Sequence, residues 1–223
     1  MPGLQIRPDG RLDESAARPA AVRLLAGSTR VEFENCILGP IRAAQNVSVS
    51  LKNCIVDAGA LNAFALARTQ TGEPGGIWQI ENCTIIGRVC LRELELASNT
   101  LFFGQSIEVE RRQEGCVRFC WLPDDAQVPR RHQCIPRVER DDQGNDVIIN
   151  CRPQFASRRF GDADYCLLSR LCPDALRRGA DDESEIGVYH DLFVAAREDH
   201  LRARLREYLR FGLEAGIFYE SHP

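Results

Sequence analysis

Val31-Glu32-Phe33-Glu34-Asn35-Cys36-Ile37 returns as Val49-Ser50-Leu51-Lys52-Asn53-Cys54-Ile55, and then as Ile77-Trp78-Gln79-Ile80-Glu81-Asn82-Cys83-Thr84. A fainter copy follows at Leu94-Glu95-Leu96-Ala97-Ser98-Asn99-Thr100-Leu101. The aligned asparagines are 18, 29 and 17 residues apart. A period near eighteen is too short for helical-pair repeats and suits one turn of a solenoid of short strands. Each copy alternates apolar and polar residues and then meets Asn, as a half-buried strand does when it runs into a bend. Gly39, Asp57, Gly87 and Gly104 follow each Asn by four or five residues as a second turn signal. The long interval is one ordinary coil plus extra residues, which fall between Ala58 and Gly76.

Stacked coils bring equivalent residues about 4.8 Å apart. Asn35, Asn53, Asn82 and Asn99 are therefore expected to form an amide ladder inside the bends, with Cys36, Cys54 and Cys83 beside it as small buried thiols. Residues 30–122 resemble the right-handed parallel β-helix, the solenoid of pectate-lyase-like proteins. The fold class expected is mainly β: a short right-handed parallel β-helix of about four to six coils with a C-terminal α-helical cap.

The chain has 223 residues and a net charge of −4, with a single lysine (Lys52) among its 28 basic residues. A nucleic-acid partner would call for a basic excess, and there is none. No apolar run approaches membrane-spanning length, and the start has no signal-peptide pattern. Synthesis in the cytosol is expected, with no nucleic-acid or membrane partner. Ten cysteines invite a disulfide reading. With no export signal, reduced structural thiols are the better account. Cys134/Cys151 and Cys166/Cys172 are the pairs most open to the other reading.

Residues 1–20 read as a loose polar leader, 21–151 as the solenoid and 152–223 as a helical cap. Ala21 to Gly27 suits an entry strand. Cys116 to Trp121 reads as a strand with Cys116 and Cys120 on one face and Val117, Phe119 and Trp121 on the other. Residues 122–144 form a long connection punctuated by Pro123, Pro129 and Pro136, and Asp146 to Cys151 suits a last short strand. The clearest helix is Arg197 to Leu213, where Leu201, Leu205, Leu209 and Leu213 make one stripe at i, i+4 spacing. That stripe is expected to close an end of the solenoid. The blocks Phe160-Gly161-Asp162, Arg178-Gly179-Ala180-Asp181-Asp182, Glu185-Ile186-Gly187 and Tyr208 to Tyr219 resemble the C-terminal part of uncharacterised bacterial proteins associated with phage-tail-like contractile particles. Glu110 to Phe119 is similar to the same group. The resemblance implies a particle context and supplies no catalytic residues.

Three constellations have chemical potential. Cys116, Cys120, His132 and Cys134 offer zinc-ligand types, but at strand spacing rather than knuckle spacing. Asp181, Asp182, Glu183, Glu185 and His190 suggest a cation site; acids at a helix N-terminus explain the run more simply. Glu34 and Glu81 take equivalent coil positions, an array of the kind a polysaccharide lyase or hydrolase needs, yet Lys52 holds that place between them. No metal, cofactor or catalytic residue is expected. The expected function is a non-enzymatic structural or protein-interaction module that binds protein, or itself, through the N-terminal end of the solenoid. The alternative is a carbohydrate-active or carbohydrate-binding β-helix protein.

Overall fold

The structure, a computed structural model, describes residues 19–25, 30–141 and 143–218. The chain is mainly β: a parallel β-solenoid of about six turns, with a short helix near its C-terminus. Each turn visits three faces. Face A stacks Val22–Leu24, Ile41–Ala43, Phe64–Ala67, the start of Arg88–Ser98 and Ile107–Arg111. Face B stacks Arg30–Glu34, Ser48–Lys52, Gly75–Glu81, the end of Arg88–Ser98, Cys116–Arg118 and Arg130–His132. Face C stacks Ile37–Leu38, Ile55–Asp57, Thr84–Ile86 and Leu101–Phe103, then continues through single bridges at Trp121 and Ile135.

The bend from face B to face C explains the repeated wording. Asn35, Asn53, Asn82 and Asn99 all sit in the left-handed region, with φ between 49° and 53°. Asn tolerates that conformation at low cost because its short amide bonds locally. The next side chain turns back to the carbonyl two residues earlier. Cys36, Cys54 and Cys83 donate to Glu34, Lys52 and Glu81 at 3.0–3.1 Å, and Thr100 does the same to Ser98 at 2.8 Å. The carbonyls of Lys52, Glu81 and Ser98 also accept the N–H of the asparagine one turn before, Asn35, Asn53 and Asn82 in order. A small hydrogen-bearing side chain thus uses the carbonyl's second lone pair inside the core.

Two further turns obey the same geometry without the wording. Phe119 and Gln133 take the left-handed seat at φ 51°, and Cys120 and Cys134 follow them in the inner column. The stretch 122–144, expected as a connection, therefore contains the sixth turn. The strand expected through Trp121 ends at Arg118 instead, because the bend at Phe119 breaks the alternation. Asp146–Ile149 adds no solenoid strand; it pairs antiparallel with Arg137–Arg140 as a hairpin. The extra residues of the long interval split into loops at 58–63 and 68–74. The expected leader lies outside the described residues except at its end.

The interior is apolar and continuous. Trp78, Leu51, Ile80, Leu91, Leu94 and Phe102 are fully buried there with the inner thiols. Turns stack tightly where face C meets face A: a Cβ on Gly104 would lie 2.0 Å from the carbonyl oxygen of Gly87, so only glycine fits. Face C is apolar outside as well. Ile55, Leu101, Phe103, Trp121 and Ile135 form a second core with Tyr165, Leu168, Cys172, Leu176 and Ile186.

Residues 151–193 thus cover the side of the solenoid along face C. Among the described residues, Asp174–Arg177 (α1), a 3-10 turn at His190–Leu192 and Val194–Tyr208 (α2) are helical: the C-terminal helix is present and short, and the rest of the cover is irregular. The expected packing of the leucine stripe is corrected too. Leu201 and Leu213 are exposed, Leu205 and Leu209 half-buried, and Leu213 lies beyond the helix. The physical reason is that 151–193 already occupies the apolar face. α2 is held through its polar side, where Glu198 pairs with Arg170 at 3.2 Å and Arg177 at 3.1 Å, and Asp199 pairs with Arg178.

Candidate functional site

Two places combine unusual exposure or charge with defined geometry: the first turn and the seam where the cover meets the asparagines. Along face B the inward register runs Phe33, Leu51, Ile80, Ala97, Val117, Arg131. Leu51 and Ile80 are fully buried, whereas Phe33, at the start of the column, is half-exposed. The same holds for Val31 against Val49, and for Cys36 against Cys54. Ile37 is 53% exposed, because the cover does not reach the first turn of face C. Strand Arg30–Glu34 pairs on one side only among the described residues. The other end of the column is different. Arg131 stands where Val117 stood one turn before, and its guanidinium donates to the carbonyl of Ala126. Among the described residues, one end of the solenoid is apolar and partly exposed; the other ends in a charge.

The asparagine seats project outward rather than into the bends, and the expected amide ladder is replaced by acids of the cover. One amide pair is direct, Asn99 Nδ2 donating to Asn82 Oδ1 at 3.3 Å. Asp191 takes the others, accepting from Asn53 Nδ2 at 2.9 Å and Asn82 Nδ2 at 3.4 Å. Asn99 donates to Asp181 Oδ1 at 2.8 Å. Asn35 reaches none of these groups and is exposed. Gly187 lays the cover's backbone against face C: its N–H donates to the carbonyl of Asn99, and a Cβ there would lie 2.9 Å from both Leu101 and Thr84.

Asp181, Asp182 and His190 converge at this seam, their ligating atoms all within 4.8 Å of one another. Asp181 and Asp182, expected at a helix start, lie instead in a turn facing His190 and Asn99. Burial pushes the Asp181 carboxyl up, but hydrogen bonds from Asn99 and His190 hold it below the usual carboxylate range. The bond to His190 holds Asp191 down against its own burial, with help from Asn53. Glu185 lies deeper, 3% exposed, and burial raises it to about 7 against the pull of the Leu168 N–H and the Arg177 charge.

The other candidates do not assemble. Cys120 and Cys134 lie in the inner column, Cys116 is half-buried and His132 is exposed, its ring edge-on to Phe119. Burial pushes the Cys83 and Cys120 thiols well up, and no disulfide joins any two of the ten cysteines, all of which are among the described residues. Glu34, Lys52 and Glu81 are in register on face B, so a cation separates the carboxylates. A cleft of about 260 Å³ is lined by Phe103, Trp121, Asp124, Asp125, Asn150 and Arg152, among others. Its aromatic groups are already engaged: Arg152 and Arg158 lie over Phe103, and Trp121 Nε1 donates to the Cys151 carbonyl at 2.6 Å.

No family model, curated protein or solved structure matches this chain. Geometry and sequence therefore carry the functional argument. No helix among the described residues is long and apolar enough to cross a membrane. The acids and His190 are legible in the sequence as a cluster, but their contacts with Asn53, Asn82 and Asn99 are not, because these partners lie far apart in the chain. A usable signal was present: Thr84-Ile85-Ile86 and Leu101-Phe102-Phe103 are too apolar for strands with one wet side.

Proposed function

We propose that this chain is a non-enzymatic structural module that binds another protein through the N-terminal end of its solenoid. The observation that carries the reading is the asymmetry of the face B column, apolar at Phe33 and charged at Arg131. An apolar turn whose strand edge is unpaired among the described residues suits addition of a strand or coil from a protein partner. A polar far end stops growth there, so association through the apolar end gives a closed pair or a single hetero-contact rather than a filament. The resemblance of the C-terminal blocks supports a place in a phage-tail-like contractile particle. The second reading, carbohydrate binding, rests on the cleft beside Asp124 and Asp125.

Phe33→Asp tests the first reading. The native protein is expected to self-associate in sedimentation velocity, or to co-purify with a partner chain from its own cells. The variant is expected to lose that association while keeping its melting temperature within a few degrees. A monomer without partners, or association indifferent to Phe33→Asp, overturns the proposal. Retention on a polysaccharide column that is lost on replacing Asp124 and Asp125 supports the second reading instead.

A further inference from the structure

We propose that residues 200–213 are a docking arm for an acidic helix of another protein, a contact separate from the N-terminal end of the solenoid. The body of the protein holds only the first part of α2. Ala195 is buried, Glu198 pairs with Arg170 and Arg177, and Asp199 pairs with Arg178. Beyond Asp199, no hydrogen bond or ion pair among the described residues joins α2 to the rest of the protein. Residues 200–208 run on for about 14 Å and are exposed at every position except Leu205, which is half-buried. A helical stretch this short is marginal in water without packing, so a partner that packs on it stabilises the helix as well as the contact.

The pattern and the charge of the arm say what covers it. Leu201, Leu205 and Tyr208 follow one another at spacings of four and three, the repeat by which two helices interlock. Leu201 is 48% and Tyr208 83% exposed, and past the helix end Phe211 is bare. Arg202 and Arg204 flank this ridge on its two sides, at the positions that select the charge of a partner helix. Arg202 turns back to Glu198 and Asp199 within α2. Arg204, Arg206 and Arg210 form no ion pair among the described residues, and Glu207 is the one acid between 200 and 213. A second copy of the arm carries the same sign and is repelled. A ridge one side chain wide between arginines lacks the broad apolar face with which a helix lies in a lipid surface. Phosphate binding would leave the leucines and the tyrosine without a role. A helix with its own apolar ridge, bordered by carboxylates, answers both features.

The probe is a labelled synthetic peptide with leucines at the a and d positions of a heptad and glutamates at e and g; its control carries lysines at e and g. Each is titrated with the full chain at low salt and followed by fluorescence anisotropy. The acidic peptide is expected to bind saturably and equimolarly, more weakly as salt is raised, and the basic control not to bind. Leu201→Asp and Arg204→Glu, both at exposed positions, are each expected to weaken binding about ten-fold or more without moving the melting temperature. Phe33→Asp is expected to leave it unchanged, so this contact and the one at the N-terminal end stand or fall separately. Equal binding of the two peptides, no saturable binding, or affinity indifferent to Leu201→Asp or Arg204→Glu overturns the proposal. So does preference for vesicles of anionic lipid or for duplex DNA over the acidic peptide.

Discussion

Replacing Glu185 by Gln should stabilise the protein at neutral and alkaline pH. The carboxyl is buried in the cover, and burial raises it from 4.5 to about 7. Its folded value lies above its unfolded one. The native state therefore holds the proton more tightly, and this contribution is full below about pH 4.5. It is lost as pH rises to about 7, beyond which the chain carries a buried charge. The difference between the two values is worth about 3 kcal/mol. Glutamine keeps the carbonyl oxygen that accepts the Leu168 N–H at 3.3 Å and cannot ionise. Urea unfolding followed by tryptophan fluorescence from pH 5 to 8 reads the effect. The native protein should lose stability across that range relative to the variant, until the variant leads by up to that amount. A variant no more stable than the native protein at pH 8 would refute the burial argument, because the carboxylate would then be ionised without cost.

Asn99→Gly should cost about 2 kcal/mol, since glycine keeps the left-handed bend and loses the charge-assisted bond to Asp181. Asn35→Gly, at the same bend without those partners, should stay within about 0.5 kcal/mol; equal costs in thermal melts would show that conformation alone sets the value. Leu201→Asp should also leave the melting temperature nearly unchanged, because the side chain is 48% exposed and faces no core. A loss of several kcal/mol would restore the packed-stripe expectation.

The repeat made the parallel stack legible because Asn-Cys names both requirements of the bend, a left-handed seat and an inner hydrogen donor. Turns five and six were hidden because Phe119 and Gln133 take the seat without Asn, at a cost of about 1–2 kcal/mol met by the stack around them. The leucine stripe misled for a related reason. A periodic apolar face says that a helix can pack, whereas the competition for face C is won by residues 151–193. The seam was legible only in part: Asp181, Asp182 and His190 stand close enough in the sequence to suggest a shared site, but only the fold brings them to Asn99.

That seam also bears on how the chain folds. Solenoids usually let each repeat depend on its neighbours alone, so turns form and fray one at a time. Here Asp191 joins Asn53 across 138 residues and Asn82 across 109, while Asp181 joins Asn99 across 82. These links form only after turns two to four have stacked in the correct order, since the spacing of the asparagines is the template they meet. Such distant closures slow the search and raise cooperativity together. The stack grows locally; its completion is a single late event, in which residues 181–191 check the register of three turns at once.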